Sequence, residues 1–323
     1  MAARAMILAA GLGTRLRPLT EELPKPLVPV ANRPLIEYSL RLLGHHGIAQ
    51  VAINLHHLGD RIQTALGDGA SLGLEISYSP EDPILGTGGG IARLRSFLEG
   101  GTFVLMNGDM LSAVDLGAAL RFHRAQKAAA TLVVCPFPPG AGYTLLERDE
   151  GGWITRFRQV TRPAQGRVRP VLFAGIHLLE PVVFDFLPPE GYSCIAEHGY
   201  CRMIEQGLPV AGFVDEGPWL DIGTPELYLG ANLALLSGQI QLPHLDLSAA
   251  VQNHGVLLGR GGSLDPAAIL GPNVVIGDGC AVGPGAEIEN SVLWPGVRIA
   301  AGSRLDHAVV TPSHRLEGLR AES

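Results

Sequence analysis

Short apolar runs alternate with helical patterns through the first two-thirds of the chain. The apolar runs are typical of buried strands, and the segments between them repeat apolar residues at the spacing of one helix face. The predicted strands are Arg4–Leu8, Gln50–Asn54, Leu74–Tyr78, Thr102–Met106, Ala130–Val134, Gly142–Arg148, Val171–Leu178 and Pro209–Val214. The predicted helices are Pro34–His46, Leu58–Leu66, Gly89–Leu98, Leu116–Lys127 and Leu227–Leu236. This alternation predicts an α/β fold with a Rossmann-like, mostly parallel sheet and helices on both faces.

The last third of the chain has a different period. Glycine-rich corners separate apolar residues that recur every six positions, and after the seventh the register slips by one residue. The repeating residues are Leu258, Leu264, Leu270, Ile276, Val282, Ile288 and Trp294, then Ile299 and Leu305. A six-residue period with such turns indicates a short parallel β-helix of about three coils. We therefore predict two domains, residues 1–240 and 241–323, with a linker over Ser237–Asn253.

Composition narrows the class of protein. The chain has 323 residues, of which 46% are hydrophobic and 17% charged, enough for two globular domains with filled cores. A formal net charge of −7 gives no basic footprint for nucleic acid. No apolar run reaches the roughly 18 residues of a membrane span. The four cysteines form no C-x-x-C pair, as expected of reduced thiols in a cytoplasmic protein.

The segment after the first strand is the strongest candidate for chemistry. The strand leads into Gly11-Leu12-Gly13-Thr14-Arg15, and Lys25 follows between two prolines. Backbone N–H groups of a glycine-rich turn can face phosphate oxygens, and two cations lie close by in the sequence. The string is not a P-loop, and Leu16 stands where a dinucleotide fingerprint needs its third glycine. The segment predicts a polyphosphate site, although a chance solvated position for Lys25 is the alternative.

Three further segments follow predicted strands or begin helices. Leu85–Gly90 precedes a helix, so its glycines permit close backbone approach to a base and expose helix N-terminal amides. Asp109 ends a buried strand, where a carboxylate is a plausible Mg²⁺ ligand or a plain turn residue. In Trp219–Glu226 the residues Thr224 and Pro225 start a helix, a role that does not need Asp221. Ligands of open α/β sheets bind at the carboxyl ends of the strands, where Gly11–Arg15 and Asn107-Gly108-Asp109 lie.

Taken together, the motifs resemble those of the sugar-1-phosphate nucleotidyltransferases, the NDP-sugar pyrophosphorylases. The matching strings are Gly-x-Gly-Thr-Arg-Leu-x-Pro-Leu-Thr, Pro-Lys-Pro, Leu85–Gly90, Asn107-Gly108-Asp109 and Trp219–Glu226. The resemblance implies transfer of a nucleoside monophosphate from an NTP to a sugar 1-phosphate, with Mg²⁺ on Asp109 and Asp221. It implies that the tail is a left-handed β-helix and an oligomerisation or regulatory surface, so that we expect a homo-oligomer.

The resemblance also implies roles for residues of these motifs. Arg15 would hold the leaving pyrophosphate, and Lys25 the α- and sugar phosphates. The implied nucleotide-binding residues are Leu8, Ala10, Gly11, Gly13, Thr14, Pro83, Gly86, Thr87 and Gly88. The implied sugar-phosphate residues are Asn107, Tyr143, Gln159 and Gly175. Of these groups, the turn at Gly11–Arg15 follows the first predicted strand and Asn107 follows the fourth, so we expect both at the ligand-binding edge of the sheet.

The central segment departs from the family pattern. Many members have Phe-x-Glu-Lys-Pro, but here the string reads Phe157-Arg158-Gln159-Val160-Thr161, so the lysine is missing and Gln159 replaces the acid. One of three nearby arginines could substitute, namely Arg162, Arg167 or Arg169. The usual Tyr-Gly pair reads Tyr143-Thr144. These differences leave the reaction class intact and place the identity of the sugar in doubt.

Several functions remain open at this point. Glu81–Thr87 and Trp219–Pro225 look most like mannose-1-phosphate guanylyltransferases, which favours GDP-mannose synthesis. The run Thr87–Gly90 looks more like enzymes for muramate or heptose phosphates, so another sugar phosphate, glucose 1-phosphate included, with UTP or another NTP is an alternative. A non-catalytic sensor that binds nucleotide sugars is a second alternative. A β-helix acyltransferase using His254 or His307, and a zinc site at the histidine pairs 45/46 and 56/57, are less well supported because coils and ligand spacing are lacking.

Overall fold

The computed structural model describes residues 3–136, 146–247 and 251–320. Up to residue 221 the strands are β1 (Arg4–Leu8), β2 (Pro29–Val30), β3 (Arg33–Pro34), β4 (Gln50–Leu55), β5 (Glu75–Pro80), β6 (Phe103–Asn107), β7 (Met110–Ser112), β8 (Ala130–Pro136), β9 (Leu146–Asp149), β10 (Ile154–Phe157), β11 (Val160–Thr161), β12 (Val168–Leu179), β13 (Val210–Val214) and β14 (Trp219–Asp221). The helices are α1 (Leu19–Glu22), α2 (Leu35–His45), α3 (Gly59–Leu66), α4 (Gly86–Arg93), α5 (Arg95–Leu98), α6 (Leu116–Gln126), α7 (Arg202–Glu205) and α8 (Pro225–Leu236). A π-helix covers Ile195–Cys201, and short 3-10 helices cover Thr14–Leu16 and Lys25–Leu27.

The chain divides into two compact units that are not continuous in sequence. The first unit comprises residues 1–11, 39–108 and 114–219, and the second comprises residues 12–38, 109–113 and 220–323.

The first unit is built on a mixed sheet. Its strand order is β11-β10-β9-β12-β6-β1-β4-β5, with β8 beside β12 and β13 beside β8. The strands β6, β1, β4 and β5 are parallel, whereas β12 runs antiparallel to β6. In the register of the central strands, Leu8 is level with both Asn54 and Asn107. The carboxyl ends of β4 and β6 therefore bring two asparagine side chains to one edge of the sheet, on either side of the end of β1.

The strands of the second unit's C-terminal part form a parallel β-helix. They are β15 (Val251–Gln252), β16 (Val256–Leu258), β17 (Ser263–Leu264), β18 (Ile269–Leu270), β19 (Val274–Ile276), β20 (Ala281–Val282), β21 (Glu287–Glu289), β22 (Ser291–Leu293), β23 (Arg298–Ile299), β24 (Arg304–Asp306), β25 (Val309–Val310) and β26 (Arg315–Leu316). Their three sheets contain the parallel ladders β16-β19-β22-β25, β17-β20-β23 and β18-β21-β24. The hexapeptide period corresponds to these three faces, and we refer to residues 251–320 as the tail.

The predicted register of the tail is corrected at one position. Leu258 pairs with Ile276 as the period predicts, but Ile276 pairs with Leu293 rather than with Trp294. The next faces follow the shorter spacing, because Val282 pairs with Ile299. The slip therefore falls before Trp294 and not after it. The indole of Trp294 lies outside the ladder and is still buried, with 2% of its surface exposed.

Most predicted elements of the first 240 residues are present, with bounds shifted by a few residues. The helix predicted at Gly89–Leu98 starts earlier, at Gly86, and is divided into α4 and α5. The strand predicted at Gly142–Arg148 lies partly outside the described residues, and β9 begins at Leu146. The Rossmann-like fold is confirmed, although the sheet is mixed beyond β6. Within the described residues, no helix is long and apolar enough to cross a membrane.

Candidate active site

The glycine-rich turn after β1 packs against side chains of the residues that follow it in the sequence. Gly13 has a φ of 62°, and a Cβ at this position would lie 3.0 Å from both the Cβ of Lys25 and the Cγ2 of Thr20. The hydroxyl of Thr20 donates to the carbonyl of Gly13 at 2.9 Å. Glycine is therefore required here by conformation and by space. The turn ends in the 3-10 helix Thr14–Leu16, which carries Arg15.

The structure brings together the two predicted cations and the two predicted carboxylates. The Nζ of Lys25 lies 2.6 Å from Oδ2 of Asp109, and the lysine is buried. The guanidinium of Arg15 lies 3.9 Å from Oδ2 of Asp221 and is two-thirds exposed. The chance solvated position for Lys25 is therefore wrong, because burial of an ammonium needs a specific anionic partner.

The two carboxylates come from distant parts of the sequence that are joined by backbone contacts. The strands β7 and β14 pair, and the N–H of Ile222 donates to the carbonyl of Asp109 at 3.2 Å. A Cβ at Gly223 would lie 2.8 Å from Oδ2 of Asp221 and 3.0 Å from Nη1 of Arg15. The glycine in this motif therefore makes room for the ion pair that stands beside it.

The electrostatics of Asp221 show that the two carboxylates affect each other. Burial raises the pKa of Asp221 above its ordinary value, and the negative charge of Asp109 raises it further. Lys25 and Arg15 act in the opposite direction and lower the pKa of Asp221, less strongly. A carboxylate whose ionisation is disfavoured by burial and by a second carboxylate forms, together with that second group, a suitable donor set for a divalent cation. Mg²⁺ uses one or two carboxylates together with phosphate oxygens. Among the described residues, no group of three or more His, Cys, Asp or Glu side chains could hold a metal ion.

In the first unit, a buried hydrogen-bond chain joins the ends of two parallel strands. The N–H of Ala9 donates to Oδ1 of Asn54 at 2.8 Å, and Nδ2 of Asn54 donates to Oε1 of Glu81 at 2.8 Å. The second carboxylate oxygen of Glu81 accepts from the N–H of Leu85 at 2.9 Å. Both side chains are 3% exposed. The backbone between Leu8 and Ala10 is thus fixed relative to the segment that leads into Gly86.

Sequence reasoning missed the roles of Asn54 and Glu81. The sequence predicts Asn54 only as the last residue of a strand, and Glu81 only as part of the segment Glu81–Thr87 that resembles the family. It predicts no structural or binding role for either side chain. A usable signal exists in the sequence. An asparagine directly after Val51-Ala52-Ile53 ends an apolar strand at the sheet edge where ligands bind.

The glycines of Leu85–Gly90 serve packing more than was predicted. The N–H groups of Gly88 and Gly89 donate to the carbonyl of Ser193 at 2.8 and 3.3 Å. The prediction that these helix N-terminal amides are exposed is therefore wrong, because a neighbouring segment of the chain already caps them. The hydroxyl of Thr87 accepts from the N–H of Ile195 at 3.0 Å, where the π-helix begins.

The remaining predicted nucleotide residues differ in how open their surroundings are. Gly11 is exposed, and a Cβ there would meet no atom within 4 Å. Gly86 has a φ of 70°, and a Cβ there would lie 2.8 Å from the ring of Tyr192. Pro83 follows a cis peptide bond on an exposed loop, and Thr14 is exposed. The open space is therefore at Gly11, at the end of the first strand.

Two of the predicted sugar-phosphate residues are adjacent. Gly175 has a φ of 74°, and a Cβ there would lie 2.9 Å from Nδ2 of Asn107. The strands that carry them, β12 and β6, are paired, with Ile176 opposite Met106. Asn107 and Gly175 therefore form one corner at the edge of the sheet.

Within the described residues, the third predicted sugar residue is Gln159, which lies on a different segment from that corner. Gln159 lies in the turn between β10 and β11, where Arg158 has a φ of 53° and forms an ion pair with Glu197. Tyr143 lies outside the described residues. Of the arginines that could replace the missing lysine, Arg162 is already placed over the ring of Trp153 at 5.7 Å. Arg167 and Arg169 are exposed.

The fold and the paired cations and carboxylates at strand ends define a phosphate-handling α/β enzyme, and comparison with known proteins supports this class. The nucleotidyl transferase family model matches residues 4–238. The chain is 32% identical to a mannose-1-phosphate guanylyltransferase of Mycobacterium tuberculosis, over 92% of this chain and 81% of that protein. It is 31% identical to a UTP–glucose-1-phosphate uridylyltransferase of Synechocystis sp., over 94% and 85%.

This chain belongs to the nucleotidyl transferase family. The structure of HddC from Yersinia pseudotuberculosis, complexed with GMP-PN, superimposes with a TM-score of 0.59 at 20% identity. The match covers 71% of this chain and 98% of HddC, and at that identity it supports the fold alone. The predicted resemblance to the sugar-1-phosphate nucleotidyltransferases is confirmed, and the chain is an enzyme of that class.

Proposed function

We propose that this enzyme transfers a nucleoside monophosphate from GTP to mannose 1-phosphate and releases pyrophosphate. The proposal rests on two neighbouring ion pairs, Lys25 with Asp109 and Arg15 with Asp221. The guanylyltransferase of M. tuberculosis supports the choice of substrates. The uridylyltransferase of Synechocystis favours glucose 1-phosphate and UTP as the second candidate pair.

The reaction needs charge neutralisation more than acid–base chemistry. The phosphate of a sugar 1-phosphate is already ionised, so its oxygen attacks the α-phosphorus in line while pyrophosphate leaves. Lys25 would hold the α- and sugar phosphates, since its buried ammonium is a compact charge in a fixed position. Arg15 would hold the leaving pyrophosphate, which suits its exposed guanidinium.

Asp109 and Asp221 would hold Mg²⁺, which when bound supplies further positive charge to the phosphate oxygens. Before any metal binds, the same carboxylates orient the two cations. Asp109 contacts Lys25 directly, and Asp221 lies beside Arg15. We infer that the contact with Asp109 holds the buried ammonium of Lys25 in place, whereas the exposed guanidinium of Arg15 keeps more freedom to meet an incoming phosphate.

The other roles are proposed from the position of each residue. Leu8, Ala10, Gly11, Gly13 and Thr14 would bind the nucleotide at the end of β1. Pro83, Gly86, Thr87 and Gly88 would contact the base through side chains and carbonyls, given that the amide of Gly88 is already bonded to Ser193. Asn107 and Gly175 would bind the sugar phosphate, together with Gln159 and Tyr143.

The test is release of pyrophosphate from each NTP with a panel of sugar 1-phosphates and Mg²⁺. We expect release with GTP and mannose 1-phosphate, and release with another pair would change the substrates but keep the reaction. No release with any pair would favour a sensor that only binds nucleotide sugars. Arg15→Ala should lower kcat by about a hundredfold or more, whereas Arg17→Ala, an exposed arginine two residues away, should not.

Three further proposals concern the chain as a whole. We propose domains at residues 1–240 and 241–323, supported by the family match ending at residue 238. We propose a homo-oligomer through the tail, supported by the exposed side chains of Leu264 and Ile269, and Ile269→Glu should then shift the mass measured by light scattering. We propose a cytoplasmic location, supported by four cysteines that are all free.

A further inference from the structure

The loop that carries both proposed catalytic cations shares its hydrophobic core with the tail. We call residues Leu12–Tyr38 the signature loop. Its residues Leu16, Leu19 and Val28 are fully buried in a cluster that continues through α8 into the strands of the β-helix. The elements of the signature loop before Leu35 are all short, namely α1, two 3-10 helices and the two-residue hairpin of β2 and β3. Its position must therefore come from the residues packed against it.

The tryptophan displaced from the β-helix ladder reaches the signature loop through one tyrosine. The Nε1–H of Trp294 donates to the hydroxyl of Tyr228 at 2.9 Å. That hydroxyl in turn donates to the carbonyl of Pro29 at 2.6 Å. Both side chains are buried, so each bond is shielded from water. Pro29 follows the short helix Lys25–Leu27 by two residues, which ties the backbone after Lys25 to the tail.

Two asparagines fix the turn that follows. Oδ1 of Asn232 accepts from the N–H of Ala31 at 2.8 Å, and its Nδ2 donates to the carbonyl of Tyr228. Nδ2 of Asn32 donates to the carbonyl of Ile276 in the β-helix at 2.9 Å. Ala31 and Asn32 both have positive φ, so this turn is held in a conformation that needs such support.

A second contact holds the segment between the two cations. The helix α1 lies between Arg15 and Lys25 in sequence and ends at Glu22. Oε1 of Glu22 accepts from the hydroxyl of Thr311 and lies 3.2 Å from Nδ1 of His314. The tail therefore contacts the signature loop on both sides of Lys25.

We propose that the tail positions the signature loop for nucleotidyl transfer, with Trp294 and Tyr228 as positioning residues. This inference rests on the proposed function, because it concerns the placement of Lys25 and Arg15. Neither positioning residue touches the reacting phosphates. A displacement of about 1 Å in a group that contacts them costs about a hundredfold in rate. The proposal gives the displaced register at Leu293 a purpose, since it frees the indole to reach Tyr228.

The test compares Trp294→Phe and Tyr228→Phe in the full chain with Ile288→Ala. Ile288 is buried on another face of the β-helix, in β21, so its truncation weakens the tail without removing a hydrogen bond to the loop. We expect the two positioning variants to lower kcat about ten- to a hundredfold with the KM for NTP little changed. Ile288→Ala should lower Tm and leave kcat within about twofold of the unchanged enzyme.

A second measurement keeps the test independent of turnover. The N–H of Leu27 donates to Pro24 O and that of Val28 to Lys25 O, so their hydrogen exchange reports the local order of the loop. Tyr228→Phe should speed both by about tenfold or more relative to Ile288→Ala. Equal exchange and equal kcat in all three variants would overturn the positioning role. If the unchanged enzyme releases no pyrophosphate, the proposed function fails, and the exchange result alone decides the inference.

Discussion

The buried chain of hydrogen bonds that joins Ala9, Asn54, Glu81 and Leu85 can be tested by moving its single negative charge from one side chain to the next. The donors converge on Glu81: Ala9 N–H donates to Asn54 and Asn54 Nδ2 to Glu81, while Leu85 N–H donates to Glu81 from the other side. The carboxylate therefore accepts from two donors and donates to none. In Glu81→Gln one of those donors must face the new amide –NH₂ instead of an oxygen.

The cost of that mismatch follows from burial. One hydrogen bond is lost and two donors are opposed at a position that is 3% exposed. This costs about 2 kcal/mol, which in a chain of this size lowers Tm by about 4–8 °C. Asn54→Asp places two carboxylates face to face and should cost as much or more.

Combining the two substitutions should restore the chain. In Asn54→Asp with Glu81→Gln, the new aspartate accepts from Ala9 N–H and from the new amide, whose oxygen accepts from Leu85 N–H. All three bonds return without any change in side-chain size. We expect the double variant to lie within about 1 kcal/mol of the original protein, so that the coupling free energy is about 3 kcal/mol or more.

The assay is urea unfolding of all four proteins, together with the KM for NTP. Because the chain fixes the backbone from Leu8 to Ala10, the single variants should raise the KM for NTP and the double variant should restore it. Additive free energies of unfolding would refute the hydrogen-bond reasoning. Recovery of stability without recovery of the KM would refute the positioning of the nucleotide loop.

Three other predictions concern the charged pairs, a buried histidine and a glycine. Asp221→Asn should abolish activity without loss of Tm, because the raised pKa of Asp221 indicates that its charge is unfavourable in the folded protein. Asp109→Asn should abolish activity and also lower Tm, because the buried ammonium of Lys25 loses its charged partner. Equal shifts of Tm in the two variants would contradict this. Burial lowers the pKa of His177 to about 3, so as the pH falls the unfolded chain takes up a proton before the folded chain does. Urea unfolding should therefore show about 2 kcal/mol less stability at pH 5 than at pH 7. His177→Gln should reduce this dependence of stability on pH, and an unchanged dependence would exclude this histidine as its source. Gly13→Ala should cost about 1–2 kcal/mol in urea unfolding and lower kcat, since its Cβ would press on Lys25; wild-type values for both would contradict this.

Periodicity and strand-end position were enough to predict most of the architecture. The strands β1, β4 and β6 could be predicted because their residues are almost uniformly apolar and each is followed by turn residues. The β-helix could be predicted because its period repeats many times. The pairing of Asp109 with Asp221 came from the family resemblance, and the backbone bond from Ile222 to Asp109 now accounts for it physically.

The predictions that were wrong share one cause, because each depends on a tertiary contact between segments that are remote in the sequence. Local sequence could not show that Ser193 caps Gly88 and Gly89, because the two segments are remote in the chain. The π-helix covers Ile195–Cys201, and the N–H of Ile195 at its start donates a hydrogen bond to the hydroxyl of Thr87. The apolar periodicity of the sequence carries no information about a hydrogen bond between such distant residues. The register slip was assigned after Trp294 because a tryptophan fits an apolar position equally well in or out of the ladder. Only the partner of the indole, Tyr228, distinguishes the two.

The division of the chain adds a reason why motif matching could not show what the tail does. Five boundaries separate the two units along the sequence, and three of them, at residues 11/12, 108/109 and 219/220, each divide one motif in two. In every case the charged residue, Arg15, Asp109 or Asp221, belongs to the unit that also contains the tail. A motif is recognised as one string, so the sequence hides the fact that its charged end belongs to the same compact unit as a β-helix formed by a later part of the chain. On the proposed roles of the four charged groups, we expect truncation near residue 240 to remove the residues that pack against the loop of Lys25 and Arg15, and so to lower activity even where the Rossmann-like sheet survives.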